Sequence, residues 1–305
     1  MCDYGGAIDE EISQIKLIEQ VDNFIDMWRD EPSISLSALG CFFDEQEVPR
    51  VVREYLFNKI RSDSNIKYLC VETRAEDICA LKLSEAMQIL GDVGLEVGLG
   101  VESANDFVRN VCINKGVDRL TIEASVSAIH NAGADVVLHV LLKPPFLDER
   151  ESIEDAVNSI EYCADLKVKR VVLMAGNVKM STFSGWLYER GHYKPPWLWT
   201  ILEVLKTLSP EAQKITSVYG FKCGIPMLDI ASNCSKCTKK VRDYIDKFCC
   251  LHDPRIIETA ANLSCECKLD WQQEISKESS TSPNDRFEFL CGMYEAEFSL
   301  VANPK

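Results

Sequence analysis

Leu95-Glu96-Val97-Gly98-Leu99-Gly100-Val101-Glu102-Ser103 is the stretch on which the fold turns. Leu95 to Val101 reads as a short strand rich in apolar residues, and Glu102 and Ser103 stand at its C-terminal end. Gly98 and Gly100 leave room for a ligand or a neighbouring backbone to approach closely. Glu102 and Ser103 are suited to hydrogen-bond a ribose hydroxyl or a carboxylate. Without further context, the same residues describe a buried strand with a polar end.

The context is a βα alternation on both sides. Residues 8–31 place Ile8, Ile12, Ile15, Ile18, Val21, Ile25 and Trp28 at helical spacings of three and four. Ile34 to Leu39 alternates like a strand and ends at Gly40-Cys41-Phe42-Phe43-Asp44, and a helix follows from Pro49 to Arg61. Ile66 to Val71 is a strand ending in Glu72-Thr73-Arg74. Residues 77–91 fit a helix, 121–132 a second and 151–165 a third. Strands cover Ala134 to Leu142 and Arg170 to Met174. This order predicts βα units with parallel strands, and in βα barrels the chemistry sits at the C-terminal strand ends. The βα units are expected over residues 1–209 and a small Cys-rich zinc-binding appendage over 210–275. A flexible linker at 276–285 leads into the C-terminal tail of 276–305, where Phe287 to Val301 docks back as a strand or helix.

Composition narrows the class. The chain has 305 residues, 46% hydrophobic and 27% charged, which describes a globular protein rather than a disordered one. No apolar run reaches the length of a membrane span, so no membrane partner is expected. Fourteen cysteines without a secretory signal predict a reducing compartment, the cytoplasm, where such clusters are metal sites more often than disulfides. A net charge of −15 disfavours nucleic acid as a partner unless a local basic patch opposes it.

The strongest metal signal is Cys234-Ser-Lys-Cys237 together with Cys265-Glu-Cys267. Zinc prefers four tetrahedral thiolates, and two closely spaced pairs present them around one ion. Cys223 is an alternative fourth ligand, whereas the adjacent Cys249 and Cys250 read as buried helix residues. Lys236, Lys239, Lys240, Arg242 and Lys247 form the one local basic patch, a site for phosphate contacts or a solvated helix face. Glu72 and Arg74 stand at a strand end as ligand contacts or as an ordinary ion pair. His139 reads as a lumen group or as a hydrogen-bonded core histidine, and Lys143 as a cation at a strand mouth or a solvated lysine. In Tyr193-Lys194-Pro195-Pro196-Trp197-Leu198-Trp199, core packing leads and base stacking by Tyr193 and Trp197 is the alternative.

Together these blocks resemble the radical S-adenosylmethionine (SAM) subunit of archaeosine synthase. The resemblance is carried by Met1-Cys2-Asp3-Tyr4-Gly5, Gly40-Cys41-Phe42-Phe43-Asp44, Glu72-Thr73-Arg74, and Gly100 to Asp106. It continues through Cys112-Ile113-Asn114-Lys115-Gly116, Leu141 to Leu147, Tyr193 to Trp199 and the two cysteine pairs. It implies an α/β fold, a partial (β/α)6 radical SAM barrel lacking its first strand in this chain, that binds a 4Fe–4S cluster and SAM, whose cleavage yields a 5′-deoxyadenosyl radical. That radical acts on a lysine-modified deazaguanine in tRNA, and a partner subunit installs the lysine. Cys2 is then the last cysteine of a CxxxCxxC iron–sulfur loop, with the first strand and two cluster cysteines expected upstream of Met1. Glu72, Arg74, Glu102 and Ser103 become cofactor contacts. Two other functions stay open: a non-catalytic homologue serving as a zinc-stabilised interaction module, and a radical SAM enzyme with a non-tRNA substrate, which the acidity favours.

Overall fold

The computed structural model describes residues 12–36, 40–221, 227–277 and 279–302. Cys2 and Cys223 lie outside them. Six strands form one sheet: β1 (Ser33–Leu36), β2 (Tyr68–Thr73), β3 (Gly94–Glu102), β4 (Asp135–Leu142), β5 (Arg170–Ala175) and β6 (Thr216–Tyr219). Every pairing is parallel and the spatial order follows the chain order. This is the expected half-barrel.

Helices connect the strands: α1 (Gln14–Trp28), α2 (Arg50–Asp63), α3 (Ala80–Leu90), α4 (Arg119–Asn131), α5 (Glu149–Asp165), α6 (Phe183–Glu189), α7 (Leu198–Thr207) and α8 (Pro210–Ile215). Local chemistry sets their starts. Asp118 caps α4 by accepting from the Thr121 N–H, and Asp148 and Glu151 form a reciprocal capping box on α5. On one sheet face Leu69, Val71, Leu95, Val97, Leu99, Val136, Leu138 and Leu173 are buried against the helices. The other face carries Cys70, Glu72, Glu96, Gly98, Gly100, His139 and Arg170 along the same strands. The period of two in a strand sorts an apolar outer face from a polar lumen.

The remaining helices are α9 (Thr238–Leu251), α10 (Pro254–Ala261), α11 (Glu266–Ser276) and α12 (Pro283–Ala302). Val241, Ile245 and Phe248 of α9, Ile257 of α10 and Trp271 of α11 belong to the same buried core as the barrel. The Cys-rich region is thus helical and continuous with the barrel across residue 209, and β6 falls within the segment expected to be an appendage. Instead of looping freely, the serine-rich stretch before α12 is hydrogen-bonded: Arg286 donates to Thr281 C=O (2.6 Å) and the Ser279 hydroxyl (3.1 Å). The tail is a helix. Phe287 meets Phe146 with ring centroids 5.3 Å apart, and Tyr294 meets Phe183 at 5.0 Å. No helix among the described residues is long and apolar enough to cross a membrane.

Gly176 locks the ends of β4 and β5 together. Its N–H donates to Leu142 C=O at 3.0 Å, and a Cβ there would lie 2.8 Å from that oxygen and 3.1 Å from Lys143 C=O. Backbone oxygens cannot step aside as a flexible side chain does. Gly176→Ala is therefore expected to cost about 1–3 kcal/mol in urea unfolding. A change below about 0.5 kcal/mol would show that this junction yields.

Candidate functional site

The mouth of the lumen is built at the end of β3. The register with β4 shifts between Gly100 and Glu102, and Glu102 adopts a left-handed backbone with φ 63°. Such a bulge re-aims a side chain at a cost of order 1–3 kcal/mol. Here it turns the Glu102 carboxylate back over Gly100. A Cβ on Gly100 would lie 2.4 Å from Glu102 Oε1 and 2.5 Å from Lys115 Nζ. Lys115 donates to Glu102 at 2.9 Å, and both side chains are about one-fifth exposed. Gly98 is also constrained, since a Cβ there would meet Glu72 Cγ at 3.2 Å and His139 Nε2 at 3.4 Å. The two glycines thus leave room for four polar side chains, Glu102, Lys115, Glu72 and His139.

His139 faces the lumen from β4. Desolvation holds its pKa down, against the opposing pull of Glu72 and Glu102, so the ring is neutral at pH 7. A neutral imidazole beside two carboxylates can donate to one of them with one nitrogen and accept from a separate donor with the other. Arg74 is half exposed beside the mouth, paired with Glu76 at 2.7 Å. Its guanidinium also reaches Lys115 C=O at 3.4 Å. Glu72, Arg74 and Glu102 therefore converge with Lys115 and His139 around one opening.

Ser103 is placed differently. It is fully buried, its hydroxyl donates to Asp155 at 2.6 Å, and it accepts from the Asn105 N–H at 3.0 Å. It shapes the turn behind the mouth. Arg109, also fully buried, cross-links that turn by donating to Ser103 C=O (2.9 Å) and Val117 C=O (2.8 Å) and by pairing with Asp106. Lys115 is positioned by this loop. Arg109, Lys115 and Asp155 received no individual role from the sequence; the density of polar residues from Glu102 to Gly116 was their only signal.

Burial pushes the Asp155 carboxyl up to about 6, only partly opposed by the Ser103 hydroxyl. Because the folded value lies above the unfolded one, the folded chain holds the extra proton between about pH 4 and pH 6. Stability contributed by the protonated form is present below the unfolded pKa and lost as pH rises through the folded one. Asp155→Asn should remove this slope and raise stability at neutral pH by about 3 kcal/mol, less any cost of the new amide. Urea midpoints of both proteins at about pH 4 and pH 7 test it; parallel pH dependence would contradict it.

Lys143, at the end of β4, is neither solvated nor open to a ligand. It is 4% exposed and forms a buried ion pair with Glu149. Glu149 also accepts from Trp197 N–H at 2.9 Å and from the Thr200 hydroxyl. Tyr193 is buried and donates to Lys143 C=O at 2.7 Å, while the Trp197 indole donates to Glu274 at 3.0 Å. The aromatic motif thus packs against the barrel mouth and α11.

The second centre is a thiol quartet. Cys234 and Cys237 form a turn entering α9, with Cys237 N–H and Thr238 N–H donating to Cys234 C=O at 3.2 and 3.0 Å. Cys265 and Cys267 open α11. Helix N-termini favour thiolates. The sulfurs of Cys234 and Cys265 lie 3.5 Å apart, Cys237 and Cys267 3.5 Å, Cys265 and Cys267 3.5 Å, and Cys234 and Cys237 3.7 Å. All four lie within 4.8 Å of one another. A tetrahedron of thiolates at about 2.3 Å from a central ion has edges of about 3.8 Å, so the quartet fits a single metal ion. Burial raises the Cys234 thiol, but bonds from Cys265 and Cys267 and the Lys236 N–H outweigh it and hold it at about 7. Cys234, Cys237, Cys265 and Cys267, designated in the sequence, meet at one point; Cys223 lies outside the described residues. Among the described residues this is the one group of three or more His, Cys, Asp or Glu side chains able to hold a metal. No cluster ligand set is found at the barrel mouth among them.

The fold is a half-barrel of six parallel strands with a group of four cysteines towards its C-terminal end. The chain is 31% identical over 256 residues to archaeosine synthase subunit beta of Methanosarcina acetivorans, covering 81% of this chain and 70% of that protein. It is 30% identical to the Thermococcus kodakarensis protein of the same name, covering 79% and 73%. An uncharacterized protein of Methanocaldococcus jannaschii is 30% identical, covering 92% and 77%. Among solved structures, Methanocaldococcus infernus Elp3 lacking its N-terminal segment shares the fold, with a TM-score of 0.54 and 18% identity. That likeness covers 76% of this chain and 58% of Elp3. No protein-family model matches the chain. The chain belongs to the archaeosine synthase subunit beta family.

Proposed function

We propose that this chain binds SAM at the lumen mouth and acts, with a lysine-transferring partner subunit, in converting a lysine-modified deazaguanine of tRNA into archaeosine. The observation that carries the reading is the group Glu72, His139, Glu102 and Lys115 over Gly98 and Gly100. It lies at the C-terminal strand ends of a chain related to archaeosine synthase subunit beta. SAM bound there, next to an iron–sulfur cluster, would supply radical chemistry. The described residues bind and orient. Glu102 has an oxygen with no hydrogen-bond partner among the described residues to accept from the ribose or amino group, Arg74 meets the carboxylate, and Ser103 holds the turn. Neutral His139 stands ready to hold or pass a proton on the substrate side.

Zn2+ is proposed for the quartet. Its ligand preference matches four thiolates on a tetrahedron, and it needs no redox chemistry to do structural work. The basic patch beside Cys234, from Lys236 to Lys247, is the place for tRNA phosphates in a chain of net charge −15.

The test is genetic and chemical. An archaeal strain lacking its own subunit beta is given this chain joined behind the N-terminal strand and cluster loop of that missing subunit, and its tRNA nucleosides are analysed by mass spectrometry. Archaeosine should reappear. Persistence of the lysine-modified base with the protein expressed would contradict the tRNA assignment and favour a non-tRNA substrate, as the acidity does.

A further inference from the structure

We infer that Trp199 is a hydrogen-bond donor to the metal-bound sulfur of Cys267 and thereby tunes the metal centre from within the barrel core. The inference rests on the quartet holding a metal. Trp199 is 1% exposed, and its indole Nε1 lies 3.4 Å from Cys267 Sγ. A buried indole N–H requires an acceptor. Three other tryptophans use oxygen: Trp197 donates to Glu274 at 3.0 Å, Trp271 to Thr200 at 2.9 Å, and Trp186 to Glu297 at 3.2 Å. Among the tryptophans of the described residues, Trp199 alone donates to sulfur. A neutral thiol is a poor acceptor, whereas a thiolate accepts a charge-assisted bond. The pairing is therefore apt for a Cys267 that is ionised on a metal.

The opposite half of the site grips the same turn. Asn233, directly before Cys234, accepts from Leu198 N–H at 3.0 Å and Trp199 N–H at 3.4 Å. One cysteine pair thus fixes the backbone of Trp199 while the other receives its side chain. Four thiolates on a divalent ion leave two excess negative charges in a site of which the Cys237 and Cys267 half is buried. The indole dipole, with Lys268 at 5.4 Å above the Trp199 ring, offsets part of that charge. Groups in this position orient the ligands and adjust the electron density on the metal.

Cobalt(II) is the probe, because its thiolate charge-transfer bands report electron density on sulfur. Trp199→Phe keeps the ring but removes the donor. It should shift those bands to lower energy and weaken metal affinity about 10- to 100-fold. Trp197→Phe, whose donor faces Glu274, should leave the bands in place. Unchanged bands and affinity in Trp199→Phe would overturn the inference while leaving the metal site intact; an unaltered chain that binds no cobalt would overturn the metal reading itself. If Trp199→Phe does not fold, the unaltered protein loaded with spin-active cadmium decides. Scalar coupling between cadmium and the Trp199 indole proton is expected, and its absence overturns the proposal.

Discussion

Chelating the metal from the quartet is expected to lower the thermal midpoint of the whole chain by about 10 °C. Isolated zinc-binding peptides owe about 10–16 kcal/mol of folding free energy to the ion. Here Val241, Ile245, Phe248, Ile257 and Trp271 already anchor the surrounding helices in the barrel core. A share of about 3–5 kcal/mol is thus left for the metal. At about 2–4 °C per kcal/mol for a domain approaching this size, that share gives the stated shift. Because the core is continuous, the loss should appear as one cooperative transition, not as selective melting of the Cys-rich segment. Cys237→Ser should reproduce it, and Cys250→Ser, an exposed thiol outside the quartet, should not. Calorimetry with and without chelator makes the measurement. A midpoint unmoved by chelation would remove the structural role.

The second large effect concerns Lys143 and Glu149. Both are nearly inaccessible, with side-chain exposures of 5% and 0%. Lys143→Met leaves the Glu149 carboxylate buried beside two surviving donors, Trp197 N–H and the Thr200 hydroxyl. Removing one partner of a buried pair costs about 3–5 kcal/mol, and the surviving donors place this case near the lower end. Glu149→Gln should cost a similar amount by stranding the ammonium. The double variant should cost clearly less than the sum, because the pair interacts directly. Urea unfolding of the three proteins gives the coupling. Additive losses would show that the two charges are held independently.

The alternation of strands and helices through residue 175 was legible because each strand carries at least two aliphatic residues at alternate positions or in a run and the helices between them are amphipathic. β6 was not, since Thr216-Ser217-Val218-Tyr219 is four residues long and half polar. The α9 stripe of Val241, Ile245 and Phe248 was hidden among lysines, aspartates and paired cysteines. The thiol quartet was legible from spacing alone, because a CxxC and a CxC each deliver two adjacent sulfurs. The roles of Ser103 and Lys143 were not. Ser103 is committed to Asp155, which lies on α5, and Lys143 meets a glutamate only because two left-handed residues, Lys143 and Phe146, turn the chain back. Such commitments are made by tertiary packing and leave no periodic trace.

The central claim is that SAM binds at the mouth through Glu102. Calorimetric titration of SAM into the protein and into Glu102→Ala tests it most directly. The variant should lose about 1–3 kcal/mol of binding free energy, the cost of a hydrogen bond to a charged group. Equal affinity in the two proteins would contradict the account.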